Sequence, residues 1–215
     1  MDCLDITGYR FEIPENQEII AILPGSRDFA YSDFPIILEA LEIIENRDKH
    51  FAYVAPLAGS IEVEKLAEVS KKRDFELIEK KNDKGLMGII RKGPVEVLLV
   101  RGRFGDAIHK ARLVIGQAGT GNEQAVGLGK PTIAFDSGGK KKSGWYRARQ
   151  KGLLGNSLSV VRRDSRAIAD ETLEILEDSH KYQLMSRIGR ERLGPPGGAK
   201  NMADEIFKIY SKLEK

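Results

Sequence analysis

The sequence predicts an α/β domain built on a mainly parallel sheet, and three observations carry that reading. Short apolar runs alternate with amphipathic stretches through almost all of the 215 residues, the pattern of βαβ units. A glycine-rich corner at Gly116, Gly119 and Gly121 stands between a short aliphatic run and a helix start. No repeat, low-complexity tract or Ser/Gly linker divides the chain, so one large domain with a single good core is expected.

Taken in order, residues 1–18 are irregular and read as a lead-in or linker, with the domain proper over residues 19–215. Glu18–Leu23 is the first strand. Phe34–Asn46 carries Ile37, Leu38, Leu41 and Ile44 at helical spacing. The strand Phe51–Ala55 follows, then a helix over Ile61–Arg73 with Val63, Leu66, Ala67 and Val69 on one side, then the strand candidate Phe75–Ile78. Met87–Arg91 and Val95–Val100 flank Lys92-Gly93-Pro94 and read as a hairpin, which makes one strand antiparallel. Leu113–Ile115, Thr132–Phe135 and Leu158–Val161 complete the strands. The last third reads as helix: Ala167–Glu177 is capped by Asp164 or Ser165, and Met202–Leu213 follows the Gly194-Pro195-Pro196-Gly197-Gly198 break as an amphipathic helix.

A formal net charge of +3 is too small to argue for nucleic acid, and no basic stretch is interleaved with aromatics. It suits a small anionic ligand. Cys3 is the only cysteine, which leaves no intrachain disulfide and fits a reducing compartment. No apolar run is long enough to span a bilayer, and Met1-Asp2 opens without a basic or apolar leader, so a cytoplasmic location is expected.

In open α/β sheets ligands bind where strands end at their carboxyl side and the winding reverses. Two loops of this kind stand out. After Leu113–Ile115, the three glycines let a backbone approach a ligand without Cβ atoms, Asn122 is placed as N-cap, Glu123 suits the first turn, and Ala125, Val126 and Leu128 give the helix its apolar side. The free amides and positive dipole end of that helix would face an anion. Glycine-rich turns of this type also occur in folds that bind nothing there. The spacing G-x-x-G-x-G is not the dinucleotide fingerprint, and neither Gly129-Lys130-Pro131 nor Gly139-Lys140-Lys141 completes a phosphate-binding P-loop. After Glu18–Leu23, the turn Pro24-Gly25-Ser26-Arg27 presents a hydroxyl and a guanidinium. A planar fork of that kind can take two phosphate oxygens, or it is a surface arginine after a turn.

The segments I-L-P-G-S-R at Ile22–Arg27 and A-G-T-G-N-E-Q-A-V-G-L-G-K-P at Ala118–Pro131 resemble lipid-A-disaccharide synthase and its related proteins, which are GT-B glycosyltransferases. The likeness continues through Gln150–Gly155, Q-K-G-L-L-G, and Arg192–Ala199, R-L-G-P-P-G-G-A. It implies a Rossmann-like, doubly wound C-terminal half of a GT-B fold, holding a UDP-sugar, usually a UDP-N-acetylhexosamine. The acceptor half would be N-terminal and lie outside this chain, as a missing domain or a partner polypeptide. Carried over, Gly25, Ser26 and Arg27 would lie near the donor's phosphates or sugar, and Gly119, Thr120, Gly121 and Asn122 would serve the diphosphate. Glu123, Gln124 and Gln150 would contact the ribose or nucleotide. Gln124 stands where the lipid-A enzymes have a glutamate, and an amide holds a diol more weakly than a carboxylate. Gly138-Gly139-Lys140-Lys141-Lys142 replaces a less basic turn and reads either as phosphate support or as a solvated loop.

The reaction implied is inverting hexosyl transfer with UDP leaving, to a lipid-linked or saccharide acceptor, with no cofactor beyond the donor substrate and no metal. Lipid acceptors in the family imply peripheral membrane contact. No catalytic base is assigned. A UDP-N-acetylglucosamine 2-epimerase-like enzyme and a non-catalytic nucleotide-sugar-binding or regulatory module are the competing readings. Trp145 and Tyr146 read as core or interface, His109 as a surface or cap residue, and His50 and His180 carry no pattern. No Asp-x-Asp and no His/Asp/Glu cluster with metal spacing occurs.

Overall fold

The computed structural model describes residues 4–14, 16–47, 51–78, 84–136 and 141–213. One sheet is formed by β1 (Ile19–Leu23), β2 (Ala52–Pro56), β3 (Glu76–Ile78), β4 (Leu86–Lys92), β5 (Val95–Val100), β6 (Ala111–Gly116), β7 (Thr132–Phe135) and β8 (Leu158–Val161). Its strand order is β3-β4-β5-β2-β1-β6-β7-β8. From β5 to β8 every neighbouring pair is parallel, while at one edge β4 runs antiparallel to both β5 and β3. The hairpin expected from Lys92-Gly93-Pro94 is therefore the β4–β5 connection, with Lys92 opposite Val95 and Gly93 at φ +55°.

The helices are α1 (Phe29–Glu45), α2 (Val63–Lys71), α3 (Phe104–Lys110), α4 (Thr120–Gly127), α5 (Lys141–Leu154), α6 (Ser165–Glu177), α7 (Ser179–Leu193) and α8 (Gly198–Leu213). Those before α8 cover both faces of the sheet, which explains why β1 is apolar at every position, while α8 is exposed along almost all of its length. Ile20 and Ile22 point into one core with Phe34, Leu38 and Leu41 of α1. Ile19, Ala21 and Leu23 point into the other, with Ala107 and Ile108 of α3 and Phe11 of the lead-in. This alternation is the two-residue period of a strand between two layers.

Several element boundaries differ from the sequence reading: the last helix begins at Gly198 rather than Met202, α6 begins at Ser165 rather than Ala167, and β6 runs over Ala111–Gly116 rather than Leu113–Ile115. The helix expected from Phe34 begins at Phe29 and continues through Pro35. Proline removes one helical donor, but Ala30 and Asp33 upstream are buried, and that burial holds the additional turn on the body. The helix over Ile61–Arg73 is shorter, Val63–Lys71. Of the two cap candidates for α6 it is Asp164 that acts, its Oδ1 accepting from the Ala167 amide at 2.9 Å.

The lead-in is pinned by one buried carboxylate. Asp106 on α3 accepts from the amides of Thr7 (2.9 Å), Gly8 (2.9 Å) and Tyr9 (3.2 Å) and from the Thr7 hydroxyl (2.8 Å). Asp106→Ala is expected to loosen residues 4–14 by about 2 kcal/mol, the scale of lost hydrogen bonds to a charged group. Trypsin cleavage after Arg10 should then be roughly thirtyfold faster at an unchanged rate within the sheet; equal cleavage rates in both proteins would refute this anchoring.

Candidate functional site

β1 is followed on one side by β2 and flanked on the other by β6, so the winding reverses between β1 and β6. This is where an open α/β sheet leaves a crevice at its carboxyl edge. The register pairs Leu23 with Gly116, and the Gln117 amide donates to the Leu23 carbonyl at 2.8 Å. The loop after β1 and the loop after β6 are thereby held side by side. A cavity of about 530 Å³ opens above them. Gly25, Ser26 and Arg27 line it from the first loop, Gln117 to Thr120 from the second, Asp136 from the end of β7, and Trp145, Tyr146 and Arg147 from α5.

Of the residues expected to bind a ligand, Gly25, Ser26, Arg27, Gly119 and Thr120 meet on this wall. The glycines there have steric reasons. Gly25 has φ +99°, and a Cβ on Gly119 would stand 2.5 Å from the Tyr146 hydroxyl. At the start of α4, no acceptor is found for the Thr120 and Gly121 amides among the described residues, while the Asn122 amide bonds to the Gly119 carbonyl at 3.0 Å. Free amides beside a positive helix end are the anion-facing arrangement the sequence implies.

Gly121, Asn122, Glu123, Gln124 and Gln150 lie off the cavity wall. Asn122 is not the N-cap of α4, which is Gly119. Its side chain turns inward instead: Nδ2 donates to the Gly116 carbonyl at 2.9 Å, and a Cβ on Gly116 would lie 2.0 Å from Asn122 Oδ1. The glycine is there to admit the asparagine. Gln150 is buried behind the turn, where Nε2 donates to the Gly119 carbonyl at 3.0 Å and Oε1 accepts from Arg147. Its visible role is to hold Gly119 and Arg147 in place. Glu123 and Gln124 are half-buried on α4.

Arg147 is the residue that sequence reasoning missed. It lines the cavity at 5 % exposure, and its Nη2 donates to Gln117 Oε1 at 3.1 Å. Among the described residues no carboxylate forms an ion pair with it. Burial pushes its guanidinium below the usual arginine range, partly offset by Tyr146, Asp136 and Asp33. A desolvated cation held by neutral amide oxygens at the wall of a cavity lacks the counter-charge that such groups normally have. Nothing in Tyr146-Arg147-Ala148-Arg149 separates it from its neighbours by local pattern.

Behind the wall, a polar network sets the floor. Asp33, fully buried on α1, accepts from Arg163 Nε at 2.9 Å and from Gln117 Nε2 at 3.0 Å. Gln117 also brackets Phe135, donating to its carbonyl at 2.9 Å and accepting from its amide at 3.1 Å. Trp145 and Tyr146, expected in core or interface, are instead 63 % and 43 % exposed on the rim. His109 and His180 are exposed, on α3 and α7. His50 and residues 138–140 of the lysine-rich turn fall outside the described residues. Among the described residues no group of three His, Cys, Asp or Glu side chains is placed to hold a metal ion, and no helix is long and apolar enough to cross a membrane.

No family model matches the sequence, and a comparison with curated proteins finds no match. The fold does match solved structures. One is UDP-GlcNAc 2-epimerase from Neisseria meningitidis bound to UDP-GlcNAc, at 17 % identity and TM-score 0.62, over 91 % of this chain and 46 % of that one. A second is S. aureus MnaA with UDP, at 18 % and 0.65, over 98 % and 51 %. A third is the calicheamicin glycosyltransferase CalG4, at 16 % and 0.62, over 97 % and 47 %. The chain thus has the Rossmann-like architecture of one half of a GT-B fold and spans about half the length of the solved chains it matches.

Proposed function

We propose that this chain is the donor-binding half of a GT-B glycosyltransferase and takes a UDP-sugar, of the UDP-N-acetylhexosamine class, in the cavity between the β1 and β6 loops. The observation that carries this reading is Arg147, a buried cation with no ion-paired carboxylate among the described residues, on the wall that also holds Arg27 and Thr120. A diphosphate supplies the missing charge. Arg27 from the loop after β1 and Arg147 from α5 would grip its oxygens, the amides at the start of α4 would take the others, and Ser26 would hydrogen-bond a phosphate or sugar oxygen.

In an inverting transfer the bond from the anomeric carbon to the diphosphate oxygen breaks as the acceptor oxygen bonds to the opposite face, and negative charge grows on the departing UDP. Arg27, Arg147 and the α4 amides would be preorganised for that charge, each good donor contributing a few kcal/mol. The base that takes the acceptor's proton would come from another domain or chain. Sugar acceptors of the lipid-A type, lipid-linked and close to a membrane surface, are the finer reading supported by the motifs at Ile22–Arg27 and Ala118–Pro131.

The epimerase reading rests on the Neisseria meningitidis UDP-GlcNAc 2-epimerase, which matches at the same TM-score as the glycosyltransferase CalG4. It needs carboxylates acting on the sugar, and Asp136 is the carboxylate among the described residues of this wall.

Calorimetric titration with UDP, with ADP as control, tests the shared premise. Saturable binding of UDP over ADP is expected, with Arg27→Ala weakening it about tenfold, as for one exposed charge-assisted contact. Trp145 is the only tryptophan and sits on the rim, so its fluorescence should change along the same isotherm. A folded sample that binds UDP no better than ADP would remove the donor-site reading.

A further inference from the structure

A second cavity, also of about 530 Å³, lies at the other end of the sheet, at the amino ends of β1 and β6. From the lead-in Arg10, Phe11, Ile13, Pro14 and Gln17 line it, and Lys110, Arg112 and Lys130 reach it from the body. We infer that this cavity is a separate anion site that takes a phosphate-bearing small molecule. The inference is independent of the donor-site reading, because the two cavities share no residue.

The charge is one-sided. Arg10, Lys110, Arg112 and Lys130 line the cavity, and Glu18 is the only carboxylate among its described lining residues. Arg112 is fixed in place: its guanidinium lies 3.8 Å from the centre of the Tyr182 ring, and the Tyr182 hydroxyl donates to the Arg112 carbonyl at 2.9 Å. Cation–π stacking of this kind orients the fork without neutralising it. Arg112 Nε is 3.4 Å from Glu18 Oε1 but is not aimed at it, so that N–H is buried without an acceptor. Exposed Glu18 therefore offsets only part of the charge.

Lys130 adds to the imbalance. Its ammonium has no hydrogen-bond or ion-pair partner among the described residues, and Arg190 packs across Gly129 next to it, where a Cβ would meet Arg190 Nε at 2.4 Å. Burial first, then Arg190 and Arg112, lower its pKa. Three cations around one half-buried corner repel each other, and a bound dianion would reverse the sign of that interaction. Several converging N–H donors favour a phosphate, with three acceptor oxygens, over a single carboxylate.

The experiment is an amide-resolved NMR titration of the whole chain with inorganic pyrophosphate, repeated with inorganic phosphate and with sulfate. Saturable shifts are expected at Ala111, Arg112, Lys130 and Tyr182 at roughly millimolar concentration or below. Lys130→Gln and Arg112→Gln should each weaken binding about tenfold, while UDP-induced shifts at Gly119 and Thr120 are unchanged in both. Shifts confined to Gly119 and Thr120, or shifts that grow without saturating, would overturn the site. Equal affinity for sulfate and both phosphates would mean an adventitious anion only and would overturn it too. Co-sedimentation with phosphatidic acid vesicles, without any response of these amides to pyrophosphate, would assign the surface to lipid and refute the proposal.

Discussion

Arg147→Met is expected to weaken UDP binding about fiftyfold while leaving Tm within about 3 °C of the parent, an uncoupling of affinity from stability. The two halves of that result come from different physics. Toward a diphosphate, a largely buried guanidinium makes charge-assisted hydrogen bonds whose removal costs about 2–3 kcal/mol. Toward the fold, the same charge is a burden: it is 5 % exposed and forms no ion pair with a carboxylate among the described residues, so replacing it with an apolar chain of similar length removes a desolvation penalty. The two oxygens it now serves are not left alone. Gln117 Oε1 keeps the Phe135 amide at 3.1 Å, and Gln150 Oε1 keeps Asn122 Nδ2 at 3.4 Å. Calorimetric binding and differential scanning calorimetry on one sample measure both. Unchanged UDP affinity would show that Arg147 is structural, and a large fall in Tm would show that its bonds to the two amides outweigh its burial.

The second large effect is on stability. Asp33→Ala is expected to destabilise the chain by about 3 kcal/mol, at the lower end for breaking a buried pair because Arg163 is 32 % exposed and can recover water. For a domain of this size that corresponds to a Tm lower by roughly 6–12 °C. UDP binding should weaken as well, since Asp33 orients Gln117, and Gln117 holds both Phe135 and Arg147. Asp33→Asn, which keeps the volume and one acceptor oxygen, should recover most of the loss. A Tm equal to the parent's for Asp33→Ala would mean that the network behind the cavity carries no stability.

Much of this architecture is legible locally. The five consecutive apolar residues of β1, the Lys92-Gly93-Pro94 turn and the helical spacing of Ile37, Leu38, Leu41 and Ile44 each correspond to an element at that place. So does the crevice: two strands that end in glycine turns, Gly25 and Gly116–Gly119, lie next to each other, as the rule for open sheets requires. Asn122 shows the limit of the local argument. It has the right chemistry for an N-cap and the right distance from the apolar run, yet its amide is taken by the Gly116 carbonyl and the cap falls to Gly119. A propensity states what a side chain can do, and a buried neighbour with an unpaired carbonyl decides what it does.

The sequence by itself determined the strand-and-helix alternation, the antiparallel edge and the two loops that become the walls of the cavity, because periodicity and turn chemistry act over a few residues. Only the tertiary structure decided that Arg147 faces the cavity, that Gln150 stands behind it, and that Asp33, Gln117, Phe135 and Arg163 form one network. Those residues are joined across as many as 130 positions of chain, and burial of a charge is a property of everything packed around it, which no local pattern encodes.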